Sequence, residues 1–139
     1  MDRTLVICKP DAVERRLVGE IVGRLEAKGL TLVALDMRTI DEQTAGTHYA
    51  EHADKPFYGD LVKFITRGLV VVLVVEGPED TCKVVRLLVG ATNPREAAPG
   101  TIRGDLAVER TENLIHASDS AESAAREIEL FFPTLSTGG

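Results

Sequence analysis

LVVVLVVE, Leu69 to Glu76, is the most apolar segment of the chain and ends at Gly77-Pro78. A continuous β-branched run with no polar alternation reads as a strand buried on both faces, and so as a central strand of a sheet. It is far too short to cross a membrane, which takes about 20 apolar residues. TLVICK, Thr4 to Lys9, is a second apolar run, stopped by Pro10. LTLVALDMR, Leu30 to Arg38, is a third strand, and NLIHA, Asn113 to Ala117, a short fourth.

Helical spacing fills the intervals. Leu17, Val18, Ile21, Val22 and Leu25 recur between Glu14 and Lys28, with Gly29 where a helix stops. Two short helices are expected at Gln43–His52 and Gly59–Thr66, broken at Pro56. A further helix runs from about Asp80 to Leu88, capped by Asp80 or Thr81. Ala91 to about Glu112 reads as a long irregular loop, and such loops usually serve a function. Asp119 with Glu122 forms a capping box for a last helix that turns Ala121, Ala124, Ala125 and Ile128 inward. The order is βαββαβ: an α+β, ferredoxin-like sandwich. It has a four-stranded antiparallel sheet with helices on one face, additional short helices and a long loop.

The 139 residues suit one domain, 1–139, with 134–139 a flexible tail. At 44% hydrophobic and 27% charged the composition is that of a soluble globular protein. A net charge of -6 argues against nucleic acid as the main partner. Two cysteines, Cys8 and Cys82, make no disulfide framework, and the N-terminus carries no signal-peptide pattern. A cytoplasmic protein with reduced thiols and no membrane partner fits.

No glycine-rich phosphate loop is present, so phosphate handling falls to side chains. Lys9 ends the first strand, Arg86 lies on the helix before the long loop, and Thr92 opens that loop. PGTIRGD sets Arg103 in a glycine-flanked turn where backbone can approach a ligand. Each cation alone reads as a solvated surface charge; together with His116 at a strand end they suggest a site. A neutral imidazole is a good nucleophile near neutral pH, provided its other nitrogen is held. Glu127 or Glu129 on the last helix, or Ser118 beside it, could do the holding. HYAEH, His48 to His52, also matches the H-x-x-E-H pattern of inverted zinc proteases, but a polar helix face is the preferred reading.

NLIHASDS, RTLVICKPDAVERRLVGEI, HYAEHADKPFYGDLVKFI, GATNPREAAPGTIRGD and SAESAAREIELFFP together resemble the nucleoside diphosphate kinase family, from about Arg3 to Pro133. The resemblance implies ping-pong transfer of the γ-phosphate of a nucleoside triphosphate, usually ATP with Mg²⁺, to a nucleoside diphosphate. His116 would carry the phosphate between the two halves, maintaining cellular (d)NTP pools. Carried over, Lys9, Tyr49, Arg86, Thr92 and Arg103 bind phosphates and Asn113 the ribose 3′-hydroxyl. Phe57 stacks on the base beside Leu61, while Glu127 orients the histidine with Ser118 near the same ring. The metal would be held mainly through phosphates. Relatives form hexamers, or tetramers in some bacteria, so a homo-oligomer is expected. The chain departs from the family at Ala117, where glycine is usual, at Arg67 and Leu69 in place of S-G-P, at Tyr58 and at Leu106. A family member that binds nucleotide without turnover is the rival reading, opposed by the presence of His116, Lys9 and Asn113.

Overall fold

The computed structural model describes residues 1–135. Four strands form one antiparallel sheet in the order β2-β3-β1-β4: β1 Asp2–Cys8, β2 Thr31–Arg38, β3 Val70–Gly77 and β4 Ile115–Ala117. The apolar run leading from Leu69 becomes β3, an inner strand between β2 and β1, and Val70 to Val75 are all buried.

Because side chains alternate across a strand, β1 and β3 supply two cores. Val6, Cys8, Val71, Leu73 and Val75 face α2 (Val18–Ala27), α5 (Thr81–Val89) and α6 (Ile102–Leu106) through Ile21, Leu25, Val85, Val89 and Ile102. Leu5, Ile7, Val70, Val72 and Val74 face the other side. There they meet Ala45 of α3 (Glu42–His48), Ile65 of α4 (Tyr58–Ile65) and Phe131 of α7 (Ala121–Phe131). The two crossover helices of the βαββαβ unit thus share one face. The additional short helices α3 and α4, joined by α7, cover the opposite one.

Local details differ from the sequence expectations. The first helix is two: α1 (Pro10–Glu14) begins at the proline, and Arg16 at φ 60° turns the chain before α2. The expected Asp119–Glu122 capping box does not form, because Glu122 falls at the second helical position and Ser123 at the third. Ser120, not Asp119, is the N-cap, and its Oγ accepts from Ser123 N at 3.0 Å. Asp80 precedes α5 in a left-handed conformation (φ 66°) and makes no side-chain cap. The long loop contains α6, capped by Thr101, whose Oγ1 accepts from Gly104 N at 2.9 Å. Of the expected tail, residues 136–139 lie outside the described residues. No helix among the described residues is long and apolar enough to cross a membrane.

Candidate active site around His116

β4 carries the site because of its register. Ile7 pairs with His116, Val6 with Ala117 and Cys8 with Ile115. Alternation sends Ile115 and Ala117 into the α2–α5 core and His116 to the face covered by α3 and α7. His116 is half-buried there, with its ring edge-to-face on His48 at a centroid separation of 4.6 Å.

The imidazole is tied at one nitrogen. His116 Nε2 lies 2.9 Å from Glu127 Oε1, and Ser118 Oγ donates to the same oxygen at 2.7 Å. Ser118 is itself fixed by Leu5, whose N–H donates to its Oγ at 3.2 Å. Of the two acids offered by the last helix, Glu127 is buried and Glu129 exposed, so α7 periodicity selects between them. Burial pushes the Glu127 carboxyl up. The hydrogen bond and charge of His116 and the Ser118 donor outweigh it and hold the group below the usual carboxylate range. An anionic acceptor at Nε2 keeps the proton there, which leaves the Nδ1 lone pair for chemistry.

Around the strand stand the cations. Lys9 Nζ donates to Asn113 Oδ1 at 2.8 Å, and Asn113 Nδ2 donates to Thr92 O at 3.0 Å. Burial, then the charge of Arg103, lower Lys9 from the ordinary 10.5 to about 8. Arg86 Nη1 donates to Ala117 O at 3.0 Å. Arg103 is not in an open ligand-facing turn: it lies in α6, only 4% exposed, and donates to the carbonyls of Asn113, Gly90 and Ile115. The glycine after it serves packing, since a Cβ on Gly104 would collide with the Ala98 carbonyl. Lys9, Arg86, Arg103 and Thr92 therefore converge on the stretch Asn113–Ala117 that carries His116.

Tyr49, the C-cap of α3, is buried with its ring against His48, and burial pushes its hydroxyl up to about 12. Phe57 and Leu61 sit apart at the start of α4. Phe57 is 47% exposed, 5.7 Å from the His52 ring, and Leu61 is half-buried.

Two residues have roles that the sequence reading missed. Asp11, inside KPD, is buried and its Oδ2 accepts from Leu114 N at 3.0 Å. Leu114 has φ 74°, a conformation costly for a side chain with a Cβ, so this bond pins the turn between Asn113 and His116. The acid directly after Lys9-Pro10 was the available signal. His48 was seen only as part of H-x-x-E-H. The helix stops at Tyr49 and a 3-10 turn follows at Ala50–His52, so His48 is buried while His52 and Glu51 point elsewhere. Among the described residues, the one group of three able to share an ion is His48, His116 and Glu127, within 4.8 Å of one another. Glu127 is already engaged by His116 and Ser118, and Lys9 and Arg126 add positive charge around His48.

The departures from the resembled pattern leave this geometry intact. Ala117 has no positive φ and packs in the core at 2% exposure. Arg67 gains partners: it holds both oxygens of Glu14 (2.6 and 3.0 Å) and Glu112 (3.0 Å).

Residues 2–136 match the family model described as nucleoside diphosphate kinase. A protein of Frankia casuarinae named nucleoside diphosphate kinase is 61% identical over 136 residues, covering 98% of each chain. One of Archaeoglobus fulgidus with the same name is 60% identical over 132 residues, 95% of this chain and 87% of that one. Among solved structures, the apo nucleoside diphosphate kinase of Encephalitozoon cuniculi superposes with a TM-score of 0.95 at 38% identity, covering 100% of this chain and 95% of that one. A halophilic nucleoside diphosphate kinase of Halobacterium salinarum in complex with CDP gives 0.91 at 53% identity, covering 94% and 87%.

Proposed function

The chain belongs to the nucleoside diphosphate kinase family and is a nucleotide-binding phosphotransferase of that kind; from this premise we propose that it works by a ping-pong mechanism through His116. The observation that carries the reading is the imidazole fixed at Nε2 by a buried carboxylate, with the other nitrogen left as nucleophile. In the first half-reaction the Nδ1 lone pair attacks the γ-phosphorus. The bond from that phosphorus to the β,γ-bridging oxygen breaks, and the nucleoside diphosphate leaves with the electron pair. In the second, a terminal phosphate oxygen of another nucleoside diphosphate attacks the phosphohistidine and the N–P bond breaks. Phosphoryl transfer asks mainly for positioning and for positive charge around the spreading oxygens.

Lys9, Arg86, Arg103, Thr92 and Tyr49 are the phosphate-side residues of this reading, and Asn113 holds the ribose hydroxyl beside Lys9. Phe57, with Leu61, offers a face on which any base can stack, which suits exchange between different nucleotides. Mg²⁺ arrives as part of the nucleotide substrate. The phosphate-side donors are cations and neutral groups, and Glu127 is engaged, so protein carboxylates play little part in holding the ion. Maintenance of (d)NTP pools in the cytoplasm, by residues 1–139 acting as one kinase domain, is the cellular role that follows.

A homo-oligomer, a hexamer or alternatively a tetramer, is part of the reading. It is supported by Leu35 and Met37, 53% and 52% exposed on the edge strand β2, which a second copy would cover. Light scattering on the purified chain measures the assembly. The reaction is tested by incubation with γ-labelled ATP: acid-labile, base-stable label is expected on the chain and is abolished in His116→Ala. Label that persists in that variant would move the nucleophile elsewhere.

A further inference from the structure

His48 is a buried polar side chain whose two ring nitrogens have no hydrogen-bond partner. Leaving such a group unpaired is costly, and three neighbours suggest what is gained. Its ring stands edge-to-face on His116 at 4.6 Å with an interplanar angle of 80°, and edge-on to Phe131 at 5.5 Å. Its Nδ1 faces Glu127 Oε2 at 4.0 Å. His116 and Ser118 both take Oε1, so Oε2 is the carboxylate oxygen they leave free.

We infer that His48 is a positioning residue for His116, acting through Glu127: its imidazole points Nδ1–H at Oε2 and walls the His116 ring. The inference rests on the reading of His116 as the phosphorylated residue. Neutrality follows from burial first, then from the charge of His116, with Arg126 and Lys9 adding to it against the opposing pull of Glu127; together they lower His48 from the ordinary 6.5 to about 3. The groups around the pair are therefore His116 on β4, Ser118 just after it, Glu127 and Arg126 on α7, Lys9 at the end of β1, Tyr49 beside His48, and Cys82 on α5 within the field of Glu127.

A charged His48 would compete with His116 for the one carboxylate. A neutral one presents only the positive end of its N–H dipole. That end takes up part of the Glu127 charge, so the carboxylate pulls less strongly on the His116 ring. The ring then keeps its Nδ1 lone pair for attack, and loss of that N–H should narrow the pH range of labelling from the acid side.

Two variants separate this from simple packing. His48→Phe keeps the ring wall and removes the N–H, whereas His48→Asn removes the ring and keeps an N–H at the position of Nδ1. The acid limb of His116 labelling by γ-labelled ATP is expected to move to higher pH in His48→Phe, by about 0.5 unit, less than the roughly 1–2 units of a full hydrogen bond to a charged acceptor because the N–H faces Oε2 across 4.0 Å. In His48→Asn it returns toward that of the unaltered chain. A packing role predicts the reverse order, and an unmoved limb in His48→Phe overturns the inference. NMR of the unaltered protein supplies a readout independent of labelling and of the variants' folding. His48 should carry its proton on Nδ1 and fail to titrate between pH 7 and roughly 4. A proton on Nε2, or titration in that window, also overturns it. Absence of label from the unaltered chain would instead count against the kinase mechanism, while the NMR result still decides the role of His48.

Discussion

The two ends of the proposed site, one assigned to the phosphates and one to the base, are built in opposite ways. At the phosphate end, Lys9, Asn113, Arg103, Ser118 and Glu127 form a mesh of bonds of about 2.5–3.3 Å around β4, and all but half-buried Lys9 are buried. At the base end, Phe57 stands half in solvent at the start of α4 and Leu61 is only half-buried. On the proposed mechanism order is concentrated where charge would be transferred, because a misplacement of about 1 Å there can cost on the order of 10²-fold in rate. Where, on the same proposal, only a flat base would have to rest, looseness costs little and would admit every base.

The sharpest way to break this contrast is Lys9→Met. We expect activity to fall by roughly 10²–10³-fold, the scale for losing one preorganised charge donor, while the protein becomes more stable. The sign follows from linkage. Lys9 is lowered from 10.5 to about 8 in the fold, so as pH falls through that window the unfolded chain takes up the proton first and the folded state loses ground. Methionine removes that penalty, and a melting temperature higher by a few degrees at pH 7 is the result to look for in a thermal scan. A variant that loses activity and stability together would show that Lys9 serves the fold rather than the phosphate.

Glu127→Gln comes next. It keeps shape and one acceptor but removes the charge that fixes the proton on His116 Nε2. A loss on the order of 10²-fold in kcat with KM little changed is expected in steady-state kinetics. Equal loss in kcat and gain in KM would mean that the carboxylate shapes the nucleotide pocket instead. At the other end, Phe57→Ala should do the opposite. Base stacking is worth about 1–3 kcal/mol, so KM rises roughly five- to a hundredfold while the labelling rate at saturation holds. A kcat effect there would erase the distinction between the two ends.

How far the site could be read in advance follows the same division. All four strands were legible: the apolar runs of β1 and β3, bounded by Pro10 and by Gly77-Pro78, have few alternatives, and LTLVALDMR and NLIHA marked β2 and the short β4. The convergence of Lys9, Asn113 and Arg103 on β4 was not legible from spacing. It depends on β1–β4 pairing and on α6, which a run of Pro, Gly and Ala hides. The resemblance supplied those residues. Asp11 and His48 escaped because each acts through a neighbour: one pins Leu114 by a backbone bond, the other faces a carboxylate that only α7 brings near. Tertiary neighbours of that kind leave no periodic trace.

The smallest expected effect concerns Ala117, where the resembled pattern has glycine. A glycine is needed only where φ is positive or a Cβ would collide. Neither condition holds: Ala117 belongs to β4, pairs with Val6, has no positive φ and is buried at 2% exposure in the α2–α5 core. The left-handed residue of this turn is Leu114, three positions earlier, and Asp11 already anchors it. Ala117→Gly therefore relieves no strain. It removes a buried methyl and loosens the strand that carries His116, at a cost of roughly 0.5–1 kcal/mol. Chemical denaturation should show the midpoint shifted down at constant slope, with the labelling rate within about twofold of the unaltered chain. A gain in stability would mean that β4 is held under strain at Ala117 after all, and that the order of the phosphate end is maintained against its own backbone rather than by it.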